Sequence, residues 1–363
     1  MRYVVQKENI LHNLQALRAH CVNSEVIGVV KGNAYGLGLV PMAKLLAENG
    51  VKTLAVSRLE EAQELRNSGV TADILLLSPP FDETSAGAVC SLDLIATVDS
   101  VFTASLLQAA AEQRNTPVRA HLMLDTGFGR FGFLPDEIDA AVQAVKTSSM
   151  IRFEGVYSHF YNAFSTSDTS VKLQVSRYEL FVAALEKSEI YGLKKHICSS
   201  AAAVKYPAYH FDAVRVGSAL LGRIAVPNTI GLQKVGYAEC EIICVKMLPA
   251  NHFVCYGEAY KTTKPTLTAV VPLGVCDGYG LSKSDISFNS GDKVNAILRK
   301  VKHFGENEQL SCTVNGKKAN VIGKVGLTDL VLDVTGIDCK PGDVAAFEMN
   351  PTLVDSAVKK DFV

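Results

Sequence analysis

An excess of charge of one sign is the first thing this chain lacks. Its 363 residues carry 36 Lys and Arg against 37 Asp and Glu, a net charge of -1. The basic surplus of a nucleic-acid or anionic-membrane surface is therefore missing, and neither partner is expected. Long apolar runs are missing too: none reaches the ~18 residues of a membrane span. The first residues, Met1 to Glu8, become charged almost at once and show no apolar stretch of a secretory signal, so the cytoplasm is the expected compartment. No Cys-x-x-Cys pair occurs among the nine cysteines, an odd number scattered from Cys21 to Cys339. That pattern argues against a disulfide framework or a metal site and for reduced thiols. What remains is an ordinary globular composition, 48% hydrophobic and 20% charged, in a chain more than twice the ~150 residues of one domain.

The first ~220 residues repeat one unit: a short apolar, β-branched run, a polar turn, and a segment of helical period. The runs are 26–30, 53–56, 74–77, 92–98, 120–124, 153–157, 196–198 and 213–216. Between them, Met42, Leu45 and Leu46, then Leu59, Ala62 and Leu65, recur at steps of three and four. Continuously apolar strands suit a parallel sheet covered on both faces. Eight such units predict an α/β fold whose N-terminal part, residues 1–225, is a (β/α)8 TIM-like barrel. Beyond Gly222 helical periods vanish. Short β-rich runs at 241–247, 266–271, 293–298, 319–322, 330–334 and 344–347 are separated by turns such as 289–292, Asn315-Gly316 and Pro341-Gly342-Asp343. Residues 226–363 are expected to form a smaller, mainly antiparallel β domain.

Chemistry in such barrels collects at the C-terminal ends of the strands. The first run ends in Lys31, followed by Gly32-Asn33-Ala34-Tyr35-Gly36-Leu37-Gly38. The fifth ends in Asp125-Thr126-Gly127-Phe128-Gly129-Arg130, the sixth in Ser158-His159, the seventh in Ser199-Ser200 and the eighth in Arg215-Val216-Gly217-Ser218. Taken singly, each has a plain structural reading: a solvated strand end, a rim histidine, a loop cap, turn chemistry. Glycines around Lys31 let backbone approach a ligand, and hydroxyls with backbone N–H groups make a phosphate cradle. An amine nucleophile, such a cradle and fixed arginines together point to a lysine Schiff base with pyridoxal phosphate.

Val29-Val30-Lys31-Gly32-Asn33-Ala34-Tyr35-Gly36-Leu37-Gly38 closely resembles the lysine signature of the alanine racemase family. The resemblance continues in order through residues 124–130, His159, residues 196–201, Arg215-Val216-Gly217, Tyr256-Gly257 and Asp277-Gly278-Tyr279. It implies a PLP-dependent, cytoplasmic amino-acid racemase that supplies D-alanine for the cell wall. The family is a homodimer whose two active sites each draw on both subunits. Lys31 would carry the cofactor and act as one catalytic base, and Tyr256 of the partner subunit would be the opposite one. Tyr35, Ser200, Gly217 and Ser218 would hold the phosphate. Arg130 would reach the cofactor's phenolic side and, with Leu327, the substrate. His159 would stand behind Tyr256, linked to Arg215 at the ring nitrogen. A guanidinium only donates hydrogen bonds, so Arg215 keeps that nitrogen unprotonated, whereas the related barrel decarboxylases place a carboxylate there. Racemisation needs a proton removed from one face of Cα and returned to the other, which two tuned bases accomplish.

Some positions depart from the family pattern. Met123 stands where many members carry a carbamylated lysine that positions the arginine. Val275 replaces a tyrosine, Gly326-Leu327-Thr328-Asp329 replaces Cys-Met-Asp-Gln, Lys324 replaces an arginine at the substrate gate, and Asp355-Ser356-Ala357-Val358 replaces a segment with a phosphate-contacting tyrosine. The amino acid is thus less determined than the reaction. Alanine leads, serine or a basic amino acid is the alternative, and a non-catalytic PLP carrier is the reading from another class. Such carriers resemble the barrel alone, and Tyr256 with residues 226–363 counts against that reading.

Overall fold

The computed structural model describes residues 1–281 and 310–363. It divides into two compact units: Lys7–Val235, and Met1–Gln6 together with Gly236–Val363. The first strand, β1 (Arg2–Val5), pairs within the second unit.

The first unit is a closed barrel of eight parallel strands. They are β2 (Glu25–Val29), β3 (Thr53–Val56), β4 (Asp73–Leu76), β5 (Ile95–Val98), β6 (Val118–Met123), β7 (Ile151–Tyr157), β8 (Lys194–His196) and β9 (Ala213–Val216). Closure comes from β9 pairing back on β2, with Val26 opposite Val214 and Ile27 opposite Arg215. β3, β5 and β9 are buried at every position, which is why their apolar residues run on without alternation. Ile27, Val29, Ala55, Leu75, Ile95 and Ala213 pack together as one core cluster. Each expected run overlaps an observed strand, with ends moved by a few residues. For β8 the ladder starts at Lys194, because Lys194 and Lys195 pair with Gly155 and Val156.

The helical stripes turn inward as their spacing requires. Leu39–Glu48 buries Met42, Ala43 and Leu46, leaving Leu45 half-buried, and Leu59–Asn67 buries Ala62 and Leu65. Each leucine so placed stabilises the fold by about 1.5–3 kcal/mol. Two α-helices of the barrel unit are capped at their starts by side chains: Asp82 accepts from the Ser85 N–H at 2.7 Å, and Ser100 from the Thr103 N–H at 3.2 Å.

The second unit holds a nine-stranded sheet among the described residues. Its further strands are β10 (Tyr237–Glu241), β11 (Cys244–Leu248), β12 (Thr266–Val271), β13 (Ser311–Val314), β14 (Lys317–Ile322), β15 (Leu330–Asp333), β16 (Val344–Phe347) and β17 (Lys360–Phe362). The order is β11-β12-β15-β14-β13-β16-β10-β1-β17, antiparallel throughout except for β1 beside β17. Asn315 and Gly316, with φ of 46° and 77°, form the two-residue turn that joins β13 to β14.

Several expectations need correction. The compact units divide at Val235–Gly236, ten residues past the expected 225, because residues 226–235 bond back onto the barrel unit. Asn13 exchanges hydrogen bonds with the Gln233 backbone at 2.7 Å each way, and the Val235 N–H donates to Leu221 O at 3.0 Å. Residues 1–6 leave the barrel unit, since β1 pairs with β10 and β17 and Arg2 meets Glu239 at 2.7 Å. The run 241–247 is not one strand. The chain crosses at Ile242 and Ile243, whose N–H groups bond to Asp343 and Val270, so β10 joins β16 while β11 joins β12. β1, β13 and β17 were not anticipated. The expected turn at 289–292 and strand at 293–298 lie outside the described residues.

Among the described residues no helix is long and apolar enough to cross a membrane. No group of three or more His, Cys, Asp or Glu side chains is placed there to hold a metal ion.

Candidate active site

At the C-terminal ends of the barrel strands lies a cavity of about 420 Å³. It is lined by Lys31, Tyr35, Met123, Arg130, His159, Ser200, Arg215, Gly217 and Ser218, among others. These come from five strand-end segments that the sequence separates by up to 187 positions and the barrel brings to one rim.

Arg215 is the hub. It is 4% exposed, and its Nη2 donates to Ser158 O at 2.7 Å and to His159 Nδ1 at 3.0 Å. Its Nη1 donates to His196 Nδ1 at 2.7 Å, and its guanidinium stacks 4.9 Å above the Tyr157 ring. A guanidinium has no acceptor, so both histidine Nδ1 atoms must be bare and both rings neutral. Burial first, then the arginine's charge, pushes His159 down to about 3 and His196 well below its ordinary value. The neutral His196 donates its Nε2–H to His121 Nδ1, 2.9 Å away, and His121 is likewise pushed down to about 3, chiefly by burial. His159 keeps its proton on Nε2, ready to donate. No carboxylate touches Arg215, and its Nε has no acceptor among the described residues.

Hydroxyls and N–H groups gather at another side of the cavity. Ser200 Oγ accepts from Gly217 N at 3.0 Å and Ala219 N at 3.2 Å, which leaves its own proton to donate. The Tyr35 hydroxyl and ring edge lie over Gly217 so closely that a Cβ there would have to push the ring aside. Lys31 sits where burial, and then the charges of Arg130 and Arg215, hold its amine below the ordinary lysine range.

Arg130 reaches the rim on a loop that Asp125 ties down. The Asp125 carboxylate accepts from the backbone N–H groups of Gly127, Phe128 and Gly129 at 2.7–2.8 Å. The guanidinium itself rests on aromatic rings, 4.6 Å from the Phe128 centroid and 5.6 Å from that of Phe131. Met123, where the resemblance implies a carbamylated lysine, lines the same cavity, and the ring contacts of Arg130 are of a kind that contributes about 0.5–1 kcal/mol each.

Tyr256 and Leu327 are not part of this cavity; both belong to the sheet unit. Tyr256 is 76% exposed, in a tight turn where Cys255, Gly257 and Glu258 all have positive φ. Leu327 is 66% exposed, on a loop stitched to the Val275 loop by Val275 N–H to Gly326 O at 3.1 Å and Cys276 N–H to Leu327 O at 3.0 Å. Asp355 N–H bonds to Asp277 O, so residues 275, 327 and 356 sit on neighbouring loops, and Lys324 is exposed nearby in sequence. Sequence reasoning passed over Tyr157, Phe131, His121 and Glu61. The first three are aromatic residues in or beside apolar runs, indistinguishable there from core. Glu61 lies in a helix, outside the strand-end segments in which the sequence pointed to chemistry.

The comparisons with known proteins agree with one another. The model of the alanine racemase N-terminal domain matches residues 5–224, and that of the alanine racemase C-terminal domain matches residues 235–356. Alanine racemase 1 of Clostridium acetobutylicum is 32% identical over 92% of this chain and 81% of its own. That of Clostridium tetani is 32% identical over 93% of this chain and 83% of its own. The alanine racemase of a D-cycloserine-producing Streptomyces lavendulae superposes with a TM-score of 0.83 at 26% identity, covering 100% of this chain and 96% of that one. The E. faecalis alanine racemase does so with 0.80 at 26% identity, over 100% and 98%. Two matched domain models in tandem, and relatives aligned over most of both chains, mean that this chain belongs to the alanine racemase family.

Proposed function

We propose that the chain interconverts the L and D forms of alanine, with pyridoxal phosphate held in the barrel cavity. One observation carries the reading: the cavity that contains Lys31 also contains an arginine held by two neutral histidines, with no carboxylate in reach among the described residues. The residues present fit the cofactor. Lys31 offers an amine for its aldehyde, Tyr35, Ser200, Gly217 and Ser218 offer donors to its phosphate, and Arg215 offers Nε to its ring nitrogen. Bound there, the cofactor supplies the electron sink that makes the Cα proton of an amino acid removable. Arg130 binds the substrate carboxylate at the rim, and Leu327 borders the substrate.

Lys31 and Tyr256 then do the proton work, each on one face of Cα. The lowered pKa of Lys31 leaves more of its amine free to accept a proton than an ordinary lysine would offer. Tyr256 comes from a second copy of the chain, so the active form is a homodimer with shared sites, working in the cytoplasm. His159, with its proton on Nε2, donates to the Tyr256 oxygen, while Arg215 holds the other side of that ring.

Purified protein with pyridoxal phosphate, offered a panel of L-amino acids and read by chiral chromatography, should form D-alanine. Failure to form any D-amino acid would favour the non-catalytic carrier. The exposed, small side chains at Val275 and Ser356 favour serine as a second substrate.

A further inference from the structure

Behind Lys31 the chain turns left-handed. Gly32, Asn33, Ala34 and Tyr35 have φ of 63°, 54°, 51° and 56°. Residues with a Cβ adopt that region in succession only when their surroundings hold them there. Part of the hold is local: Asn33 Oδ1 accepts the Leu39 N–H at 2.7 Å, and the Gly36 N–H donates to Gly32 O at 3.0 Å. The rest comes from Glu61, on the helix Leu59–Asn67. Its Oε1 accepts the Gly32 N–H at 2.6 Å and the Asn33 N–H at 3.2 Å. Its Oε2 accepts the N–H groups of Ser57 and Arg58, both at 3.2 Å. One carboxylate thus spans two barrel loops, and the first of its donors is the residue next to Lys31.

The charges around the amine give Glu61 a second task. Arg130, from the loop after β6, and Arg215, on β9, both disfavour a proton on Lys31, and Glu61 opposes them. His159 faces the same amine but is neutral, and Tyr35 keeps its proton, pushed up to about 12 by burial.

We propose that Glu61 is the positioning residue of Lys31: its carboxylate pins the left-handed turn behind the amine and supplies negative charge that offsets part of the repulsion from the two arginines. The inference rests on reading Lys31 as the cofactor lysine and one of the two bases. Without Glu61 the four N–H groups lose their shared acceptor, and the amine faces two cations uncompensated.

The test separates charge from reach. Glu61→Gln keeps the length and removes the charge; Glu61→Asp keeps the charge and shortens the reach; Glu60→Gln alters the exposed neighbour. On apoprotein, reductive methylation with formaldehyde and cyanoborohydride, followed at the Lys31 peptide by mass spectrometry across pH, reports the amine's protonation midpoint. Pyridoxal phosphate affinity is measured in parallel by absorbance. Glu61→Gln should lower the Lys31 midpoint by about half a pH unit or more, while Glu60→Gln leaves it in place. Glu61→Asp should keep the midpoint yet lose roughly tenfold or more in cofactor affinity, as the turn loosens. Variants that melt like the native protein, with native midpoint and affinity, overturn the proposal. So does a loss of thermal stability with no change in either, which would make Glu61 a structural residue only. Should Glu61→Gln not fold, the affinity of Glu61→Asp decides. The Lys31 titration needs no turnover, so a native protein that racemises nothing would sink the proposed function and leave this inference standing or falling by its own result.

Discussion

Arg215 Nη2 donates to His159 Nδ1 across 3.0 Å, and that contact decides where the histidine keeps its proton. Because the guanidinium cannot accept, the imidazole must be neutral with its hydrogen on Nε2, the nitrogen turned away from the arginine. The same logic runs from Arg215 through His196 to His121, so one buried cation sets three tautomers. Such a chain is satisfied only while all three rings are uncharged.

Acid should therefore unfold this protein earlier than an ordinary globular chain. The folded values of His121 and His159 lie at about 3, and that of His196 well below its ordinary 6.5. Below pH ~6.5 the unfolded chain takes up protons that the folded one refuses, so stability is intact above that pH and falls through the window down to about 3. The slope is about 1.4 kcal/mol per pH unit for each histidine. Urea unfolding at pH 7, 6, 5 and 4 should show it, and His121→Asn should remove about one histidine's share. A variant with the native slope would mean that His121 titrates normally when folded.

Lys31 should be the cofactor's attachment site. Borohydride reduction of the protein with pyridoxal phosphate, followed by peptide mapping, should place the pyridoxyl group on Lys31. Lys31→Ala should bind the cofactor weakly and racemise nothing. A label on any other lysine removes the assignment.

Each complete site should need two chains. Lys31→Ala and Tyr256→Phe should both be inactive, and mixed subunits should regain activity, since one of the two hybrid sites holds both native bases. No recovery in verified heterodimers would mean that each site is built within one chain.

Substrate range should be wide. Val275 is 38% exposed, and its loop is joined by backbone bonds to the loop of Leu327, with no aromatic ring or anchored hydroxyl among residues 274–276 and 326–328. Selection by apolar fit alone discriminates by only about 1–3 kcal/mol per methylene-sized group. Serine should accordingly be racemised beside alanine, and Val275→Tyr should narrow the range without weakening cofactor binding. Serine turnover more than a thousandfold slower than alanine, about 4 kcal/mol in barrier, would show that other side chains fill the space.

Patterns that act over a few residues were legible without coordinates. The barrel strands announce themselves because covering both faces leaves no room for polar alternation, and Asn315-Gly316 announces its hairpin because both residues tolerate positive φ. Lys31, Tyr35, Arg130, His159, Ser200, Arg215, Gly217 and Ser218 could be singled out because a barrel exposes its strand ends on one rim, and polar groups in apolar sequence stand out. Pairings between distant segments left no such trace. β1 and β17 are short and find each other only across the length of the chain, and the run 241–247 contains no turn residue to show that it divides between two sheet positions. The same holds for the site. The histidine tautomers follow from Arg215 meeting two rings 19 and 56 residues away, and Glu61 finds Gly32 across 29. Residue types and spacing set which groups could do the chemistry; the closure of the barrel decided which of them touch, and so which protons they hold.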